Sequence, residues 1–341
     1  MNENVKLPFV ISNIELVKNS LPKSVKFGYV MKGTYVLLKH VNIPYFAQRI
    51  STQTKSVDYF IFSLLSNAIL ARQFGITQPI LLIYPITPEE AILASKYNIE
   101  VDCPCIEWLQ KVSTLIKTEL KVHVWFDSGL SREGIIDENI LYELLKNIPK
   151  YSNIKLVGLA TKFNPDTKGI FMKSYRLKDI PLEQRIEYYQ NLIQGQIDKF
   201  NNIINTCRQN SYISKDVIIH AGCSNEVFAK VIPAYYDMVR VGTLIHDSIL
   251  NDFNAKAEIV LIKTIPKDFC MGYYCKNGHT PNEIKVAYIK YYGILNADYK
   301  YKDHILSPIE SGDPFGLIIN DIDDIKVGDF IDIHSTMLFT L

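Results

Sequence analysis

The 341-residue chain carries almost no net charge. Lys+Arg 37 stand against Asp+Glu 36, so no field gathers nucleic acid or an anionic membrane surface. It lacks a long apolar run: the longest apolar region, Tyr59 to Ala71, is broken by Ser63, Ser66 and Asn67, which argues against a membrane span. The opening Met1-Asn2-Glu3-Asn4-Val5-Lys6 has no basic-then-apolar leader, and the expectation is a cytoplasmic protein. Cysteines are few and scattered. Cys103-Pro104-Cys105 is the one tight pair, its spacing is wrong for a zinc knuckle, and no histidine cluster completes a ligand set. No metal site is expected, and the thiols read as buried and reduced. Internal repeats, low-complexity tracts and proline-rich linkers are also missing.

What is present is ordinary for a globular enzyme, with 48% hydrophobic and 21% charged residues. The length suggests one large domain and a smaller one. Strand-like runs recur at Lys26–Met31, Asp58–Phe62, Pro79–Tyr84, Ile99–Cys103, Lys121–Phe126, Lys155–Ala160, Asp216–His220 and Asp237–Val241. Runs this apolar belong where both sheet faces are covered, the parallel-sheet condition. Helical patterns separate most of them. Thr87-Pro88-Glu89-Glu90 sets a cap, a first-turn proline and two acids ahead of Ala91–Ala94, and Pro181–Arg208 is long and amphipathic. Eight strand–helix units predict an α/β fold of the (β/α)8 barrel type over residues 1–250. An open doubly wound sheet is the competitor, but no Gly-x-Gly-x-x-Gly follows the first strand. After about Leu250, strands at 257–262, 284–289, 316–319 and 327–331 follow one another without helices. They predict a smaller all-β domain over 251–341.

Chemistry is expected at the carboxyl ends of the barrel strands. Lys32 follows the first strand. Most lysines are merely solvated, but one in apolar surroundings can serve as a Schiff-base nucleophile. Asp127-Ser128-Gly129-Leu130-Ser131-Arg132 follows the fifth strand, and its arginine could clamp a carboxylate or simply lie at the surface. His220-Ala221-Gly222-Cys223-Ser224-Asn225 follows the seventh, where small residues free backbone N–H groups for an anion and Ser224 adds either a donor or a plain helix cap. Arg240 sits inside the apolar eighth strand and demands a partner.

These stretches, in this order, resemble the alanine racemase family of barrel-type pyridoxal phosphate enzymes. Lys121 to Arg132 is similar to that family's KVHLKVDTGMGR, Leu156 to Phe163 to its LVGLMTHF, His220 to Ser224 to HAANS, and Asp237 to Gly242 to DMVRPG. The resemblance implies that Lys32 carries pyridoxal 5'-phosphate and then acts as one base. It sets Arg240 against the pyridine nitrogen with His220 in support, and Ser224, Gly242, Thr243 and Tyr35 around the phosphate. Arg132 falls near the substrate carboxylate. The second base would be Tyr273 of a partner subunit, read from Met271-Gly272-Tyr273-Tyr274, with Tyr274 as the register alternative. Tyr292, Asn320 and Asp321 match substrate-side positions. A homodimer with shared sites and an amino-acid substrate are implied.

The chain also departs from the family pattern. Tyr35 lies one residue early, Trp125 replaces a lysine that is often carbamylated, Lys162 replaces a histidine, and Cys223 an asparagine. Asn320-Asp321 stands for Met-Asp, and the residues after Ile333 show no counterpart of a further phosphate tyrosine. The expected function is therefore an alanine racemase-like enzyme. A racemase for another amino acid and a catalytically degenerate or regulatory paralogue are the alternatives. A decarboxylase of like architecture is disfavoured because its glycine-rich phosphate loop is missing.

Overall fold

The structure is a computed structural model that describes residues 3–33, 38, 41–131, 134–164, 182–246, 253–269, 279–289, 298–309 and 315–335. The chain divides into two compact units, one of residues 14–248 and one of residues 249–340 with 1–13.

The larger unit alternates strands and helices. Its strands are β1 (Lys26–Met31), β2 (Tyr59–Phe62), β3 (Ile80–Leu82), β4 (Val101–Asp102), β5 (Leu120–Trp125), β6 (Ile154–Ala160), β7 (Ile218–Cys223) and β8 (Met238–Val241). They form one parallel sheet in the order β3-β2-β1-β8-β7-β6-β5-β4. Its two ends meet through a parallel bridge between Leu81 and Glu100, where Leu82 N–H donates to the Glu100 carbonyl and Glu100 N–H to that of Ile80, each at 2.8 Å. The expected eight-stranded barrel is thereby realised as a near-barrel. Every residue of β2, β3 and β8 is buried, as two-sided coverage requires.

Three helices of this unit start where the sequence supplies a capping side chain. Asn42 Oδ1 accepts from Tyr45 N–H at the head of α2 (Ile43–Gln53), which also has proline in its first turn. α3 (Leu65–Gln73) follows β2. Before α4 (Glu90–Lys96), Thr87 and Glu90 exchange side-chain and backbone hydrogen bonds, the reciprocal capping that their spacing predicts. α5 (Ile106–Leu115) precedes β5, and Asp137 Oδ1 caps α6 (Glu138–Asn147), which buries Leu141, Leu144 and Leu145. Each such leucine contributes roughly 1.5–3 kcal/mol. α7 (Leu182–Gln209) is the long amphipathic helix expected from residue 181 onward. Two short helices, α8 (Ser224–Phe228) and α9 (Thr243–His246), leave the ends of β7 and β8. An opening helix, α1 (Glu3–Ser20), was not predicted. Its Lys18 ammonium pairs with Asp58 at 2.8 Å, and that carboxylate also accepts from Phe27 N–H, which fixes the start of β1.

The smaller unit is a closed antiparallel barrel of six strands. They are β9 (Phe253–Ile265), β10 (Ile284–Ile289), β11 (Asp298–Tyr301), β12 (His304–Ile309), β13 (Phe315–Ile318) and β14 (Phe330–Ser335), in the order β10-β13-β12-β11-β14-β9. Ile284, Val286 and Tyr288 centre its core. The all-β character is as predicted, but β11 and β12 were missed. The strand expected at 327–331 begins only at Phe330, because Gly328 takes a left-handed φ of 94° and Lys326 N–H closes a turn on Asp329. Among the described residues no helix is long and apolar enough to cross a membrane.

Candidate active site

The interior of the larger unit holds a chain of polar side chains that its apolar strands would otherwise exclude. Arg240, on β8, is 6% exposed; His220 on β7 and His123 on β5 are fully buried; Glu100, just before β4, is 4% exposed. Burying these groups is tolerable only with complete pairing. Arg240 Nη1 lies 2.5 Å from His220 Nδ1, His220 Nε2 lies 2.9 Å from His123 Nδ1, and His123 Nε2 lies 2.8 Å from Glu100 Oε2.

The chemistry of the end groups sets the direction of every bond. Arginine has donors only, so His220 Nδ1 accepts. Its proton therefore sits on Nε2 and is donated to His123 Nδ1, whose own Nε2–H is donated to the carboxylate. Burial, then Arg240 and His123, push the pKa of His220 well below its usual value, so the ring is neutral. Tyr59 bonds the same Glu100 carboxylate, and burial followed by that negative charge holds its hydroxyl protonated. Nη2 of Arg240 donates to the carbonyls of Thr161 (2.7 Å) and Ala221 (3.1 Å). The guanidinium lies over the Trp125 ring, 4.6 Å from its centroid.

Room for this chain is made by Gly158 on β6. A Cβ there would sit 2.5 Å from His123 Cε1 and 2.8 Å from Cγ. Side chains two apart on a strand share a face, so Trp125 lies on the inward side with His123, one step nearer the carboxyl end of β5.

Beside Arg240, the ends of β7 and β8 come together at Ser224. Its Oγ accepts from the N–H groups of Gly242 (3.3 Å) and Leu244 (3.1 Å), which brings Thr243 alongside. Glu226 accepts from Cys223 N–H at 2.7 Å and from the Tyr189 hydroxyl at 3.1 Å. Burial and then Glu226 push the Cys223 thiol up to about 12, so it stays protonated at neutral pH. Cys103, Cys105, Cys207 and Cys223 are all free thiols, and no His/Cys/Asp/Glu group among the described residues has the arrangement of a metal site.

Lys32 follows β1 directly, half-buried, with its ammonium 5.4 Å from the centroid of the Tyr84 ring. β1 pairs with β8, Gly28 opposite Arg240, so lysine and arginine belong to adjacent strands. Of the residues singled out from sequence, Lys32, Ser224, Gly242 and Thr243 therefore follow the ends of β1, β7 and β8, while His220 and Arg240 lie within β7 and β8. Asn320 and Asp321 are exposed in the smaller unit, where Asn320 Oδ1 accepts from Lys285 N–H at 2.7 Å. Tyr35, Arg132, Tyr273, Tyr274 and Tyr292 lie outside the described residues.

Glu100, His123, Thr161 and Tyr84 were given no role from sequence. Glu100 interrupts an apolar run just as Arg240 does, and that signal could have paired them. A hydroxyl flanked by backbone amides suits a phosphate, a pinned cation suits a heteroaromatic nitrogen, and an amine at a neighbouring strand end suits an aldehyde. The donor set thus fits pyridoxal phosphate.

Comparison with known proteins follows the same lines. Residues 6–247 match the family "Alanine racemase, N-terminal domain". Alanine racemase 2 of Clostridium acetobutylicum is 29% identical over 236 residues, 68% of this chain and 53% of its own length. The alanine racemase of Streptococcus mutans is 31% identical over 196 residues, 57% of this chain and 48% of its own length. The matched region thus spans about half the length of these curated relatives. Among solved structures, the alanine racemase of Clostridium difficile 630 superposes with a TM-score of 0.68 at 20% identity, covering 96% of this chain and 84% of that one. A histidine racemase from Leuconostoc mesenteroides also gives 0.68, at 18% identity, covering 96% and 86%. At these identities the likeness to the solved structures is one of fold.

Proposed function

The chain belongs to the alanine racemase family, and from that premise we propose that it is a pyridoxal phosphate-dependent amino-acid racemase interconverting L- and D-alanine. The observation that carries this reading is the fixed Arg240 cation. It is held by neutral His220 and two carbonyls, one strand away from Lys32.

Pyridoxal phosphate, when bound, supplies an electron sink that acidifies the substrate Cα–H. The roles of the protein groups follow from their chemistry. Lys32 holds the cofactor through Nζ and moves the Cα proton on one face. The partner subunit's Tyr273 moves it on the other through its hydroxyl, with Tyr274 the register alternative. A tyrosine has an ordinary pKa of about 10, so this step needs a cation nearby. Ser224 and the amides of Gly242 and Thr243 hold the phosphate, aided by Tyr35. Arg240 keeps the pyridine nitrogen unprotonated, which weakens the sink enough to favour proton return over transfer of the amino group. Arg132 binds the substrate carboxylate, and Tyr292, Asn320 and Asp321 line its approach. The active species is a homodimer with shared sites.

Incubation with pyridoxal phosphate, borohydride reduction and peptide mapping should place the label on Lys32. The loaded protein should exchange the Cα proton of alanine with deuterium, and Lys32→Ala should abolish both. A label elsewhere, or none, together with no exchange for any amino acid would overturn the reading. Trp125, an aromatic where the family often keeps a lysine, favours a second version of it in which the preferred substrate is not alanine. A panel of L-amino acids in the same exchange assay separates the two.

A further inference from the structure

We infer that Trp125 is a positioning residue whose indole face holds the Arg240 guanidinium in one orientation. The inference rests on the racemase reading for its chemical consequence, though not for its structural one. Arg240 donates to His220 Nδ1 through Nη1 and to the carbonyls of Thr161 and Ala221 through Nη2. Bonds to one edge of a planar group resist sliding better than tilting. The indole ring faces the guanidinium, its centroid 4.6 Å from Cζ, and restrains that tilt. The same ring stands edge-on to His220, at 5.7 Å and 83°, so it also braces the acceptor of Nη1.

The indole is a costly choice on stability grounds alone. Trp125 is 4% exposed, and its Nε1–H has no hydrogen-bond acceptor among the described residues. A buried donor left unpaired is unfavourable, and a phenylalanine would fill most of the volume without that penalty. Tryptophan offers the strongest aromatic face for a cation. The ring is thus used through its face while its donor meets no acceptor among the described residues. A lysine at this position, as the family often has, would put a second cation beside Arg240 unless its charge were masked.

If the indole face sets the tilt, its loss leaves the cation paired but mobile, and the pyridine nitrogen is then protonated more often. The partition of loaded enzyme shifts from returning the Cα proton towards amino transfer. With the cofactor bound, that outcome would leave the amino group of alanine on it and release the carbon skeleton as pyruvate, one water supplying the keto oxygen and the cofactor taking the two electrons, so that no external oxidant is needed.

Trp125→Leu removes the face and keeps apolar bulk; Trp125→Phe restores a weaker face without the indole N–H. In cofactor-free, 15N-arginine-labelled protein, the Arg240 side-chain resonance, assigned by its loss in Arg240→Lys, should be displaced by the ring current. The displacement should persist in part in Trp125→Phe and vanish in Trp125→Leu. In loaded protein the ratio of pyruvate formed to alanine racemised should rise about 10-fold in Trp125→Leu and recover in Trp125→Phe. The melting temperature of Trp125→Phe should equal or exceed that of the parent. An Arg240 signal that Trp125→Leu does not move, or an unchanged product ratio in a folded variant that racemises alanine, would overturn the inference. Should Trp125→Leu not fold, Trp125→Met makes the same comparison. A parent protein without racemase activity defeats the reading under Proposed function, while the cofactor-free resonance still decides on the clamp.

Discussion

Because His220 accepts from Arg240 through Nδ1 and donates to His123 through Nε2, a second proton on its ring would face the guanidinium directly. In the folded chain its pKa lies well below 6.5, whereas in the unfolded chain it is ordinary. Below that ordinary value the unfolded state binds more protons than the folded one. Stability is therefore full above about pH 6.5 and is lost as the pH falls towards the depressed folded pKa, by up to about 1.4 kcal/mol per pH unit. Urea titrations between pH 7 and 5 should show this fall, and His220→Phe should flatten it while lowering stability overall. The arginine at the head of this chain was legible in sequence as a charge in an apolar strand. Of its partners, His220 was read through family likeness, and the rest of the chain was not, since no spacing rule joins residues 100, 123, 220 and 240. Glu100 emitted the same signal as Arg240 and was passed over as part of a strand.

At the scale of elements, β6 contributes an empty space rather than a side chain. Gly158 stands where the His123 ring must lie, and that ring is tethered at both nitrogens and has nowhere to move. Gly158→Ala should destabilise the larger unit by about 3 kcal/mol or more and weaken cofactor retention along with it. Thermal unfolding and absorbance after gel filtration would check both; an alanine variant as stable as the parent would contradict the packing described. All eight parallel strands were readable because each lies in a short, mostly apolar run bounded by turn or helix signals. β11 escaped because it alternates, burying Tyr299 and Tyr301 while Asp298 and Lys300 face solvent, and β12 carries a proline. α1 escaped because Pro8 falls within it, where proline ordinarily argues against a helix.

For the whole molecule, the proposed sharing of residues between subunits has a numerical consequence. If Lys32 of one subunit works with the partner's Tyr273, neither Lys32→Ala nor Tyr273→Phe homodimers turn over. Co-refolding equal amounts should then restore roughly one quarter of the parent rate, since half the dimers are mixed and each has one intact site. Restoration of nothing, measured alongside confirmed mixed dimers, would place both residues in the same subunit. The sequence could suggest this division of labour only through family likeness, because both tyrosine candidates sit among 21 tyrosines in this chain.

Glu100 has one further property, visible only when its backbone and side chain are taken together. Its amide and carbonyl form the bridge by which the last strand of the sheet meets the first, and its carboxylate ends the line of bonds that starts at Arg240. The clasp of the barrel and the anchor of its cation are therefore one residue. Any fluctuation that unfastens the clasp pulls on the arginine three side chains away. Whatever steadies the arginine keeps the barrel shut.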